Sequence, residues 1–176
     1  MAKKKFDIPE LQEYPEVPKL EPGTMAHLET FRAKAEFQEA LGFPGELPEN
    51  WQDKAVEAMG DLLGKYRSLQ VYMDSCVKCG ACTDKCHYYL GTKDPKNMPV
   101  ARQDLMRKVY RRYFTFAGKF FPKLVGAEDF TEELLGDWYN YYHQCSQCRR
   151  CSVFCPYGID TAEISMAARE IMDRIG

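Results

Sequence analysis

All eight cysteines of this 176-residue chain fall into two copies of one pattern. The first runs Cys76-Val-Lys-Cys79-Gly-Ala-Cys82-Thr-Asp-Lys-Cys86. The second runs Cys145-Ser-Gln-Cys148-Arg-Arg-Cys151-Ser-Val-Phe-Cys155-Pro156. Both read C-x2-C-x2-C-x3-C. A cubane [4Fe–4S] cluster has four iron corners, each taking one thiolate. Three cysteines at two-residue intervals wrap a tight loop around three corners. The fourth, three residues further on, starts the next helix, points away and ligates the other cluster when two such motifs pack together. The spacing therefore predicts two [4Fe–4S] clusters with crossed ligation. Cys76, Cys79, Cys82 and Cys155 hold one; Cys145, Cys148, Cys151 and Cys86 hold the other.

Other thiol chemistries fit less well. Soft thiolates also select zinc, but zinc ribbons space their cysteines as two C-x2-C pairs across a longer loop. A structural zinc-binding interaction module is therefore the alternative of another class. Disulfides need an oxidising compartment. The opening MAKKKFDIPELQEYPEVP lacks the apolar run of a signal peptide, and no stretch approaches the roughly 18–20 apolar residues of a membrane span. The expectation is a chain with reduced thiols, free of the membrane or held there by partners. The iron–sulfur subunit of a succinate dehydrogenase would also need a plant-type C-x4-C-x2-C motif, and no cysteines remain for one.

Three residues beside the cysteines are candidates for tuning a cluster. His87 directly follows Cys86 and could donate a hydrogen bond to cluster sulfur, or be a partly buried histidine with no redox role. Arg149 and Arg150 lie inside the second loop and could offset cluster charge or simply be solvated. Tyr88, Tyr89, Tyr141, Tyr142 and Tyr157 read as packing residues.

The elements that position the loops read as helices. Residues 87–144 separate the two motifs, 58 residues in all, with no sustained period-2 alternation. A gap of that length implies the helical type of two-cluster ferredoxin domain, so the fold class is all-α. A helical pattern from Trp51 through Leu62 and Leu69 leads to Cys76. Another covers Arg102 to Phe116, with Leu105, Val109 and Tyr113 in one row and Met106, Tyr110 and Phe114 in the next. A third covers Phe130 to Tyr142, with Glu132 and Glu133 suited to its N-terminus. The last starts at an Asp160-Thr-Ala-Glu163 capping pattern, with Ile164, Ala168, Ile171 and Ile175 on its buried face.

Upstream, Thr24 can cap a helix to about Leu41, stopped by Gly42 and Pro44. Residues 1–23 hold Pro9, Pro15, Pro18 and Pro22 and read as an extended arm. The expected organisation is an arm over 1–23, N-terminal helices over 24–72 packing on the ferredoxin domain, and that domain over 73–176.

Charge is segregated within a net of −2. Residues 102–123 carry seven cations against Asp104, interleaved with Tyr113, Phe114, Phe116, Phe120 and Phe121. Residues 128–137 carry five anions. Solvated helix faces are the ordinary reading; anionic lipid or an acidic partner is the other. The balanced net charge gives no case for nucleic acid.

The segments CVKCGACTDKCHYYLGTKDPKNMPVARQDL, RKVYRRYF and HQCSQCRRCSVFCPYGID resemble the heterodisulfide-reductase-like iron–sulfur proteins, and among them the K subunits (DsrK) of the sulfite-reductase-linked membrane complexes DsrMKJOP. The resemblance covers about residues 70–170. It implies an electron-transfer subunit on the cytoplasmic side of the membrane, docked through a quinone-linked cytochrome b partner and other subunits. It also implies a far end that is a thiol/disulfide site served by a small DsrC-like sulfur carrier. Full-length members continue into CCG modules, whereas this sequence has no Cys-Cys pair. It is expected to be the relay part of a longer protein, or a two-cluster subunit like the small one of heterodisulfide reductase. No catalytic residue is assigned.

Overall fold

In a computed structural model the described residues are 47–176, together with residue 40. The expected proline arm over 1–23 and the helix over 24–41 lie outside the described residues, apart from residue 40, which is helical. Every regular element among the described residues is helical, in keeping with the all-α expectation.

Trp51–Lys65 forms α1 and Arg67–Ser75 forms α2. The sequence pattern suggested one continuous helix here. Tyr66 breaks it, with extended backbone (φ −118°, ψ 93°) and its N–H closing on the Leu62 carbonyl. The break lets the two apolar stripes reach different partners. Ala55, Ala58, Met59 and Leu62 of α1 are buried beside the last helix, and Leu69 and Met73 of α2 beside the central one. Periodicity cannot reveal such a break, because both stripes stay in phase through it.

After the first cysteine loop come a short 3-10 turn (Thr83–Lys85) and α3 (His87–Thr92). The central helix α4 runs Pro99–Phe114. It starts three residues before the expected Arg102, because Pro99 takes the first-turn position where its missing N–H costs nothing. It stops at Thr115, whose hydroxyl donates to the Arg111 carbonyl (2.8 Å) and accepts from the Gly118 N–H (3.1 Å). That hydroxyl caps α5 (Phe116–Phe120), and α6 (Pro122–Val125) follows. Gly118 is obligatory: a Cβ there would stand 1.8 Å from the Arg111 carbonyl oxygen.

The acidic segment then pairs with the basic one. Lys108 meets Glu128 at 2.8 Å and Arg112 meets Asp129 at 2.5 Å. Two of the seven cations are thus paired with the acidic segment within the fold. The helix α7 (Glu132–His143) is capped by Thr131, which accepts from the Leu134 N–H. Phe130, expected to open it, lies just before the cap and is buried.

The second loop carries α8 (Arg150–Val153) and leads to α9 (Thr161–Ile175). Asp160 caps α9 as expected, and the four predicted apolar positions are all buried. This helix packs on α1, α4 and α7, so the core surrounds it. Trp51, Tyr110, Phe130, Trp138 and Tyr142 are buried in that core, whereas Phe116, Phe120 and Phe121 are exposed. Trp51, Phe130, Trp138 and Tyr142 form a run with ring centroids 5.3, 4.6 and 5.3 Å apart. Edge-to-face and tilted contacts of this kind add to the stabilisation from burial. The Tyr142 hydroxyl ends the run by donating to the Arg102 carbonyl at 2.6 Å.

Candidate metal centre

The two cysteine loops repeat one backbone conformation. Lys78 and Gly80 have φ of 55° and 80°. Their counterparts in the second loop, Gln147 and Arg149, have φ of 58° and 59°. Three of these four are not glycine, and left-handed backbone costs such residues about 1–2 kcal/mol each. Alternation of left-handed with ordinary residues forms the concave backbone that binds anions, iron–sulfur clusters included. The strain is thus held in common by two segments that share little beyond their cysteines.

Each loop is pinned at its first cysteine by an arginine from a helix. Arg107 of α4 is buried and donates to the Cys76 carbonyl at 2.7 Å. Arg169 of α9 donates to the Cys145 carbonyl at 2.6 Å and also to the Tyr142 carbonyl, which closes the end of α7. Asp160 ties the far side of the second loop to α9. It accepts from Ser152 Oγ at 2.8 Å and pairs with Arg149 at 3.2 Å.

The thiols border two cavities of nearly equal size. About 370 Å³ of empty space, including its open mouth, is lined by Cys76, Cys79, Cys82, Cys151 and Cys155. About 340 Å³ is lined by Cys86, Cys145, Cys148 and Cys151. The fourth cysteine of each motif therefore stands at the cavity of the other motif, and Cys151 borders both. Cys86 immediately precedes α3, but Cys155 does not start a helix: Pro156 follows it, Gly158 N–H turns back to its carbonyl, and α9 begins only at Thr161.

This donor set fits the clusters. Cys79 and Cys148 are the outermost thiols, and Cys86 is buried. Burial pushes the Cys82 thiol up to about 11, and the nearby Cys151 sulfur adds to the rise. Burial also raises Cys151. Crowded, desolvated sulfurs resist ionisation on their own. They become thiolates when a cation stands among them, so metal binding and proton release go together.

Of the residues proposed to tune the clusters, two line the second cavity. His87 Nδ1 lies 3.9 Å from Cys148 Sγ, and its Nε2 lies 3.4 Å from Ser146 Oγ. Arg149 lines the same cavity while paired with Asp160. Arg150 is exposed at the start of α8 and does not line either cavity. The residue that sequence reasoning missed is Arg102. It is 2% exposed, and its Nη1 donates to Cys86 Sγ at 3.5 Å. One signal was available: Arg102 falls three, four and seven residues before Leu105, Met106 and Val109, on the buried face of α4.

Comparison with known proteins shows the family. Residues 72–159 match the 4Fe-4S dicluster domain family. Over 131 residues, 74% of this chain, it is 61% identical to the Hdr-like menaquinol oxidoreductase iron-sulfur subunit 2 of Archaeoglobus fulgidus. It is 55% identical over the same length to the corresponding iron-sulfur subunit of Archaeoglobus profundus. More distantly, it is 29% identical over 97 residues to a dihydromethanophenazine:CoB–CoM heterodisulfide reductase component of Methanosarcina barkeri, across 55% of this chain and 23% of that one. The chain spans about a quarter (24%) of the length of the two Archaeoglobus relatives. No solved structure matches it. With two such loops on a helical frame, the chain belongs to the 4Fe-4S dicluster domain family and is a heterodisulfide-reductase-like iron–sulfur protein with two [4Fe–4S] clusters.

Proposed function

We propose that this chain is a one-electron relay whose clusters are cross-ligated. Cys76, Cys79, Cys82 and Cys155 hold one; Cys145, Cys148, Cys151 and Cys86 hold the other. The observation that carries the reading is the exchange of fourth thiols between the two cavities. Each bound cluster supplies single-electron chemistry, and the residues around it hold its sulfurs, exclude water and set its charge environment. No residue of the chain has a bond-making role in this reading.

The relay would run between a menaquinol-linked, haem b membrane partner and a heterodisulfide-type thiol/disulfide site elsewhere in the complex. The names of the relatives, a menaquinol oxidoreductase and a heterodisulfide reductase, support the quinol and disulfide ends. Dissimilatory sulfur metabolism, with a DsrC-like carrier at the far end, is the setting suggested by the sequence resemblance. Among the described residues no helix is long and apolar enough to cross a membrane. In this reading the chain sits on the inner face of the membrane through partner subunits, with the segment over 1–23 as a docking arm, the helices over 24–72 braced on the ferredoxin domain, and that domain over 73–176.

The test is iron analysis and electron paramagnetic resonance on Cys86→Ser and Cys155→Ser beside the unaltered chain. The unaltered chain should bind about eight irons. Cys86→Ser should perturb the cluster held mainly by the second motif, and Cys155→Ser the one held mainly by the first. Paired variants Cys148→Ser and Cys79→Ser identify which signal is which. If Cys86→Ser instead alters the signal lost in Cys79→Ser, the crossed wiring is wrong.

A further inference from the structure

Arg102 is a cation with almost no water and no carboxylate. Its side chain is 2% exposed, and none of the ion pairs among the described residues includes it. Each arm of the guanidinium is engaged. Nε donates to the Tyr141 carbonyl at 2.8 Å, and Nη2 donates to Asn97 Oδ1 at 2.7 Å. Nη1 donates to Cys86 Sγ at 3.5 Å.

The two neutral acceptors are themselves fixed. Asn97 is 2% exposed and donates from Nδ2 to Thr92 Oγ1, while the Tyr141 hydroxyl donates to Asp94. The fork is therefore held from two sides and presents its third to sulfur. A desolvated charge is strongly destabilising unless an opposite charge or strong hydrogen bonds compensate. Carbonyl and amide oxygens meet part of that need, and the remaining contact is the Cys86 sulfur. A ligating thiolate supplies the missing negative charge.

The first motif also has a buried arginine outside the ion pairs of the described residues, but its contact is of another kind. Buried Arg107 reaches the carbonyl of Cys76 rather than a sulfur, and Lys78 is half-exposed and paired with Asp104 at 2.8 Å. Of these two buried arginines, Arg102 alone donates to a cysteine sulfur, so the symmetric sequence repeat differs in its N–H···S contact.

We infer that Arg102 is the counter-charge and N–H···S donor of the cluster bound through Cys86, and that it holds this cluster at the higher potential of the two. Hydrogen bonds to cluster sulfurs and positive charge nearby both favour the reduced state. Arg102 would thereby favour the cluster bound through Cys86 as the first of the two to take up an electron from the quinol-linked donor proposed above. The inference rests on the ligation proposed above.

The test is a mediated redox titration of the full, cluster-loaded chain, followed by electron paramagnetic resonance, for Arg102→Lys and Arg102→Met. With iron content unchanged, one of the two midpoints should move to lower potential and the other should stay. The shift should be larger for Met than for Lys, because Lys keeps the charge without the fork. Two unmoved midpoints at full iron content overturn the role of Arg102. Should Arg102→Met fail to fold, Arg102→Lys still decides the matter. In the unaltered chain carrying ¹⁵N-arginine, a nitrogen coupling to the higher-potential cluster that disappears in Arg102→Lys is expected; its absence also overturns the role. Iron short of two clusters in the unaltered chain overturns the ligation itself, and this inference with it.

Discussion

Asp160 offers a quantitative test of how the second loop is tied to the core. Its Oδ1 accepts from the Ala162 N–H at 2.9 Å, from the Glu163 N–H at 3.4 Å and from Ser152 Oγ at 2.8 Å. Its Oδ2 pairs with Arg149 at 3.2 Å. Replacing it with alanine removes the N-cap of α9, worth about 1 kcal/mol. It also leaves the Ser152 hydroxyl without its acceptor, worth about another 1 kcal/mol. The ion pair adds almost nothing, because the Arg149 side chain is 61% exposed and water screens it. Asp160→Ala should therefore cost about 2 kcal/mol. For a chain of this size that lowers Tm by roughly 4–8 °C. Asparagine caps as well as aspartate and keeps an acceptor for Ser152, so Asp160→Asn should stay within about 2 °C of the unaltered protein. The assay is anaerobic thermal melting of the cluster-loaded chain at one scan rate, read by circular dichroism and by cluster absorbance. Equal losses in the two variants would refute the reasoning, since charge and not capping would then be what matters. An unmoved Tm in Asp160→Ala would refute it equally.

Further outcomes follow from single contacts. Gly118→Ala drives a Cβ into the Arg111 carbonyl, which cannot yield without moving α4, so a loss of about 1–3 kcal/mol in denaturant unfolding is expected. Arg149→Gly relieves left-handed strain at an exposed position where the first motif carries Gly80, and should leave stability within about 1 kcal/mol of the unaltered chain or raise it. The Tyr141 phenol is pushed up to about 12, first by burial and then by its hydrogen bond to Asp94. A folded pKa above the usual value near 10 favours the folded state below pH 10, and that contribution fades as pH rises towards 12. An ultraviolet phenolate titration should show one late-ionising tyrosine fewer in Tyr141→Phe.

The break at Tyr66 shows how far periodicity reads. The stripe through Ala55, Ala58, Met59, Leu62 and Leu69 is buried, but Tyr66, which continues the same pattern, is exposed, and the pattern cannot say that the chain turns there between α1 and α2. Burial against two different helices decides that. At α4 the same limit appears at both ends. Pro99 and Thr115 carry local signals, but the stop also depends on Gly118 fitting against the Arg111 carbonyl. By contrast the Asp160 cap and the stripe of α9 were legible, because both are local; the Glu163 half of the capping pattern was not, since Glu163 accepts from Ser68 and the Tyr72 hydroxyl of α2 instead.

By itself the sequence determined the inventory of thiols, the repeat that groups them and the helical class of the frame. Those follow from short spacings, where geometry over a few residues limits what the chain can do. Only the tertiary structure decided which thiols share a cavity, because Cys155 and Cys76 are brought together by helices lying between them. Only it separated Arg102 from the other cations of the basic stretch. In the sequence Arg102 is one positive charge among seven in residues 102–123; in the fold it is buried, held by Asn97 and the Tyr141 carbonyl against Cys86. Burial and long-range contact set this cation against a cysteine sulfur, and neither is encoded in local spacing.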